Sequence, residues 1–148
     1  DVYLSKDKRI MVIHDKTTKR TSEVDLKVSE TNSEILRELE VGSFKSQKYT
    51  GEKIPFIEEI FEVIPEGKKL LIEVKCGPEI APYLKKAINQ SSKKDQMIII
   101  AFNFKVLVKC KEIMPSVPSY YLVCSKKDKE TGNHLPYDEK IIKHTVVC

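Results

Sequence analysis

Residues 69–103, KLLIEVKCGPEIAPYLKKAINQSSKKDQMIIIAFN, carry the pattern from which the rest of the chain can be read. A strand-length apolar run, LLIEV, opens the stretch and a second, MIIIA, closes it. Between them PEIAPYLKKAINQ repeats apolar side chains at helical spacing through Ile80, Leu84, Ala87 and Ile88. Near-continuous apolar strands separated by a helix signal βαβ units, and hence a parallel sheet expected to be covered on both faces. Downstream the alternation continues with FKVLVKCKEIMP, a helix stopped by Pro115, and SYYLVC, a third strand. Upstream, KIPFIEEIFEVIP places Ile54, Ile57, Ile60, Phe61 and Ile64 on one helical face, with Pro55 suited to its first turn and Pro65 closing it.

The class is therefore α/β, and chemistry in such sheets belongs to loops beyond the carboxyl ends of the strands. Two shorter alternating runs come first, DVYLS at 1–5 and RIMVIH at 9–14. Residues 16–52 are polar and weakly periodic, an excursion in which NSEILRELE is the best helix candidate.

Composition narrows the function classes. The 26 basic and 22 acidic side chains, net +4, are mixed along the sequence as on a solvated surface, which argues against nucleic-acid binding. KDKR, KTTKR and SKKDKE fall at loop-like positions. No apolar run approaches the roughly eighteen residues that span a bilayer. Cys76, Cys110, Cys124 and Cys148 are widely spaced with no CxxC pair, so they read as small hydrophobes in a reduced, cytoplasmic setting rather than as a zinc or redox site.

Polar residues that interrupt or end apolar strands are the candidates for chemistry. In LLIEVK a period of two sets Leu71, Glu73 and Lys75 on one side and Ile72 and Val74 on the other. Glu and Lys are rarely buried unless paired, so this strand is edge-exposed, carries a satisfied pair, or lines a site. Flanking helices weaken the edge reading. His14 ends its strand beside Asp15, and a neutral imidazole can accept or donate a proton near neutral pH. Asp1 and Glu73 could offer two hard oxygens to Mg²⁺ or Ca²⁺. His134, in a Gly/Asn/Pro loop, and His144 have no partner pattern, and Tyr120 and Tyr121 read as core or near-core packing.

With these residues assembled, DVYLSKDKRIMVIHDKTTKRTS, VGSFKSQKYTGEKIPFIEEIFEVIP, LLIEVK and IIIAFN resemble the glycerophosphodiester phosphodiesterase family. That family shows an E-x-D-V strand, a T-K-D-G turn, V-x-H-D-x-T-L-x-R-T, G-S-W-F, G-E-x-I-P-T-L-E-E, L-x-I-E-x-K and S-F-N. Order and spacing agree over positions 1 to 104. The resemblance implies a TIM-type (β/α)8 barrel with a small insertion after its second strand, here residues 5–52 of a single domain, 1–148. It further implies a divalent-metal enzyme, using Mg²⁺ or Ca²⁺, that hydrolyses small-molecule glycerophosphodiesters to glycerol 3-phosphate and an alcohol. By the same resemblance Asp1 and Glu73 are metal ligands, His14 is a general acid or base, and Lys75 stabilises charge on the phosphate. Arg20 and Phe102 fall at pattern positions that would contact substrate.

Departures from the pattern are informative. The first-strand His-Arg-Gly, the following Glu-Asn-Thr and the Glu two residues before Asp1 have no counterpart here. The expectation is therefore a partial barrel of about strands two to five, with open sheet edges. Ala101 replaces the usual Ser, Thr18 Leu, Phe56 Thr, and Lys8-Arg9 the glycine of the turn. Two other readings keep the same residues: a lysophospholipase D- or sphingomyelinase D-like enzyme acting on lipid diesters, and a non-catalytic barrel that binds phosphodiesters or proteins.

Overall fold

The computed structural model describes residues 1–124 and 127–133. It opens with an antiparallel hairpin, β1 (Val2–Leu4) and β2 (Ile10–Val12), in the register Val2–Val12, Tyr3–Met11 and Leu4–Ile10. The turn is closed by the Ser5 N–H donating to the Arg9 carbonyl at 2.9 Å, and Lys8 adopts a left-handed φ of 68°. β2 is shorter than RIMVIH suggested and stops two residues before His14. The Val12 N–H turns instead to the Pro55 carbonyl at 2.8 Å, and Met11 bridges Phe56.

The excursion carries α1 (Ser33–Glu38), where NSEILRELE predicted a helix. No side chain of α1's own N-cap, Asn32, satisfies its first turn. The task falls to Asp7 in the hairpin turn, which accepts from the Ser33 N–H at 2.8 Å and the Ser33 hydroxyl at 2.6 Å while also accepting from the Ser5 hydroxyl at 2.6 Å. Further along, Gly42 runs so close to the Tyr49 backbone that a Cβ there would lie 1.9 Å from its carbonyl oxygen.

α2 spans Ile57–Val63, so Pro55 stands ahead of the helix and not in its first turn. The reason is local: the Pro55 carbonyl is engaged by Val12, and Phe56 takes the extended N-cap position, its N–H donating to Glu59 Oε2 at 2.6 Å. Ile57, Phe61 and Ile64 are buried as the periodicity required, whereas Ile54 joins a different cluster. Arg37 of α1 grips Glu59 with both terminal nitrogens, at 2.9 and 3.0 Å, and ties α1 to α2.

Then come β3 (Leu70–Glu73), α3 (Ala81–Gln90), β4 (Met97–Ala101), α4 (Phe104–Ile113) and β5 (Ser119–Tyr121). Asn103 caps α4 by accepting the Lys105 N–H at 3.1 Å, and the helix ends before Pro115. α3 and α4 run about three turns each, α2 about two. The three strands pair in parallel in the order β3-β4-β5, and a parallel bridge from Val2 to Val74 attaches the hairpin to β3.

This order corrects the expectation of helices on both faces. Strands that follow one another without reversal, joined by crossovers of one hand, place every connection on the same side. Ile72, Val74, Met97, Ile99 and Ala101 accordingly pack with Leu84, Ile88, Val106, Leu107 and Phe61 in the main core. Each of these side chains except that of Ala101 contributes about 1.5–3 kcal/mol by leaving water. The opposite face holds Leu71, Glu73, Ile98 and Ile100, with Leu71 56% exposed. Tyr120 belongs to it as well and is exposed, contrary to the core role expected from sequence, because alternation sends it away from the helices. Tyr121 does pack near the core, edge-to-face with Phe104 at 5.6 Å. A second, smaller cluster of Met11, Ile13, Val28, Leu36 and Ile54 fastens the excursion to the hairpin.

Candidate functional site

The bridge between β1 and β3 sets Asp1 beside the carboxyl end of β3. There the Lys75 ammonium donates to Glu73 Oε1 at 2.9 Å and lies 3.7 Å from Asp1 Oδ1. Glu73 and Lys75 are on one side of the strand, as the period of two required, and their side chains are 20% and 22% exposed. β3 is the first strand of its three-stranded sheet, but just past its carboxyl end Val74 bridges Val2, so the Glu73–Lys75 end is flanked by β4 on one side and β1 on the other.

His14 lies just past β2, its side chain 57% exposed. Its Nδ1 is 2.6 Å from Asp15 Oδ1, and the other oxygen of Asp15 accepts from Arg20 Nε at 2.5 Å. Hydrogen bonds from His14, then Arg20, hold the Asp15 carboxyl below its ordinary range, against a small opposing effect of burial. His14, Arg20 and Lys75 line one open cleft of about 460 Å³ with Tyr3, Asp15, Lys16, Thr17 and Lys19. Burial pushes the Tyr3 phenol above its ordinary value, and the Lys75 charge partly offsets this.

The cleft thus presents four cationic side chains against the single carboxylate of Asp15, with the Asp1 and Glu73 carboxylates reached through Lys75. Such a field suits an anion of phosphate type. Oxygen donors alone at Asp1 and Glu73 suit a hard dication in kind, although no group of three His, Cys, Asp or Glu side chains that could hold a metal is found among the described residues.

Of the six residues singled out from sequence, His14, Arg20 and Lys75 line this cleft, and Asp1 and Glu73 stand against Lys75. Phe102 is not among its lining residues. It follows β4 immediately and is 49% exposed. Lys16 and Lys19, read from sequence as part of a solvated loop, border the cleft, and Arg20 at the end of the same KTTKR segment reaches back to Asp15. Tyr3 was legible in principle, two residues from Asp1 and so on the same side of β1. His134, His144 and Cys148 lie outside the described residues. Cys76, Cys110 and Cys124 are free thiols, of which only Cys110 is fully buried and Cys124 is exposed.

Comparison with known proteins gives a consistent set of relatives. The profile of the glycerophosphoryl diester phosphodiesterase family matches residues 1–144. A glycerophosphodiester phosphodiesterase of Caldanaerobacter subterraneus is 36% identical over 120 residues, covering 78% of this chain and 49% of its own length. One from Bacillus subtilis is 26% identical over 145 residues, covering 86% and 49%. Among solved structures, an Oleispira antarctica phosphodiesterase in complex with the product sn-glycerol-3-phosphate superimposes with a TM-score of 0.83 at 28% identity, over 99% of this chain and 58% of that one. A Thermotoga maritima glycerophosphodiester phosphodiesterase gives 0.66 at 26% identity, over 97% and 53%. The chain spans about half the length of the curated relatives it matches.

Proposed function

This chain belongs to the glycerophosphoryl diester phosphodiesterase family, and from that premise we propose that it contributes one side of the active site of a metal-dependent hydrolase that releases glycerol 3-phosphate and an alcohol from glycerophosphodiesters. The observation that carries the reading is the convergence of His14, Arg20 and Lys75 on one cleft, with Asp1 and Glu73 held against Lys75. Strands β1 and β3 to β5 would be consecutive staves of a (β/α)8 barrel, with the helices outside, the Glu73 side facing the lumen, and residues 5–52 as its insertion.

Asp1 and Glu73 would hold Mg²⁺ or Ca²⁺. A dication bound there supplies positive charge to the phosphate oxygens. Lys75, released from neutralising the two carboxylates, places its ammonium where negative charge grows on the phosphoryl oxygens during attack. Arg20, Lys16 and Lys19 draw the anionic diester into the cleft. The Nδ1 of His14 faces an acceptor-only carboxylate and therefore carries the proton, which leaves Nε2 as the nitrogen that can take a proton from an attacking oxygen or, once charged, give one to a leaving oxygen. Phe102, exposed at the end of β4, would offer an apolar wall to the carbon skeleton of the substrate.

The test is release of glycerol 3-phosphate from glycerophosphocholine by the full-length protein with Mg²⁺ or Ca²⁺. His14→Ala and Glu73→Gln should each lower turnover by about 10²-fold or more. Turnover within about twofold of wild type in His14→Ala would remove His14 from the chemistry.

A further inference from the structure

We infer that Asp15 is a positioning residue for His14 and that Arg20 holds Asp15 in that role, a chain of three side chains running from the substrate cleft into the excursion. The inference rests on the catalytic reading of His14. Asp15 stands at the centre: one carboxylate oxygen meets His14 Nδ1 at 2.6 Å, the other meets Arg20 Nε at 2.5 Å. Both neighbours are donors, one to each oxygen of the carboxylate, and neither contact can be reversed while Asp15 is ionised.

Without this restraint, a histidine with 57% of its side chain exposed would exchange between ring orientations and tautomers. Asp15 fixes one tautomer, with the proton on Nδ1, and thereby keeps Nε2 free. Asp15 itself exchanges no proton with substrate. Arg20 prevents the carboxylate from turning away, and it can do so because the guanidinium is permanently charged and its Nε–H direction is set by a planar group. Sequence adjacency alone would not produce this contact, since neighbouring side chains need not face one another.

The discriminating variant is Asp15→Asn, which preserves size. Its amide places a single acceptor oxygen and an NH₂ where the carboxylate has two oxygens, so in the same placement one of His14 and Arg20 loses its acceptor. If its oxygen remains with Arg20, its NH₂ faces His14 Nδ1 and favours the opposite tautomer, protonated on Nε2. The expected result in the full-length protein is a fall in kcat of about 10²-fold with KM little changed. Asp15→Glu, which restores two acceptors, should recover part of the loss. The ¹⁵N spectrum of the His14 ring, assigned by its disappearance in His14→Ala, should show a protonated Nδ1 in wild type and lose that signature in Asp15→Asn.

If His14→Ala abolishes turnover while Asp15→Asn leaves kcat within about twofold, the positioning role is wrong and the functional reading stands. Loss of turnover in Asp15→Asn with the Nδ1–H signature intact also overturns it, because Asp15 would then be acting elsewhere. Near-normal turnover in His14→Ala removes the functional reading and this inference together.

Discussion

Asp7 binds the excursion to the hairpin by accepting from the Ser5 hydroxyl and from the Ser33 hydroxyl and N–H. Burial alone would push its carboxyl up, but hydrogen bonds from the Ser33 hydroxyl, the Ser5 hydroxyl and the Ser33 N–H outweigh this and bring it from 3.8 to about 2. A shift of that size corresponds to at most about 2.5 kcal/mol. Asp7 is an exposed residue, so solvent screening reduces the expected effect to about 1 kcal/mol. Asp7→Asn keeps one acceptor and should destabilise the protein by this amount at pH 7, a fall in Tm of about 2–4 °C. The folded-state value is depressed, so the stabilisation is fully present above the unfolded value near 4 and disappears as pH falls towards about 2. Urea denaturation of wild type and variant at a series of pH values reads the difference directly. Ser33 is 3% exposed, so Asp7→Ala, which strands its hydroxyl while Ser5 keeps the Arg9 carbonyl at 3.1 Å, should cost more than Asp7→Asn. A wild-type minus Asp7→Asn difference that stays constant from pH 7 to the acid end would refute the assignment of the stabilisation to the ionised carboxylate.

Two substitutions test the backbone on either side of that tie. Lys8 holds a left-handed φ of 68° in the hairpin turn, so Lys8→Gly should stabilise the protein by about 0.5–1 kcal/mol after allowing for the greater chain entropy of glycine; an unchanged or lower Tm would contradict it. Gly42→Ala puts a methyl carbon 1.9 Å from the Tyr49 carbonyl oxygen, and thermal denaturation should show a loss of at least about 2 kcal/mol; an unchanged Tm would mean that the 42–49 loop opens freely.

The alternation of apolar runs was enough to locate β3, α3, β4, α4 and β5, because strands buried by helices and helices packed on strands leave strong periodic traces. Periodicity does not contain strand order, and the expectation of two covered faces failed for that reason. Ile98 and Ile100 look as apolar in sequence as Ile99, although only Ile99 faces the helices. Tyr120 was misread on the same ground. Glu73 and Lys75 were legible as a pair because a strand's period of two is rigid. Their meeting with Asp1 depends on a bridge between distant segments, which carboxylate chemistry and the family resemblance anticipated and periodicity could not. The 2.6 Å contact between Asp15 and His14 is a matter of rotamers, on which a His-Asp dipeptide is silent.

The bridge from Val2 to Val74 also has a kinetic meaning. The Lys75 N–H reaches the Val2 carbonyl at 3.1 Å across nearly half the chain, so the loop it closes contains the entire excursion and α2. Closure of so long a loop carries an entropic cost that local hairpins and helices do not meet, and contacts of this range form late. Asp1 and Glu73 straddle that closure. Until that closure is made only a long loop joins the two carboxylates, and contacts made across it should slow unfolding more than they speed folding.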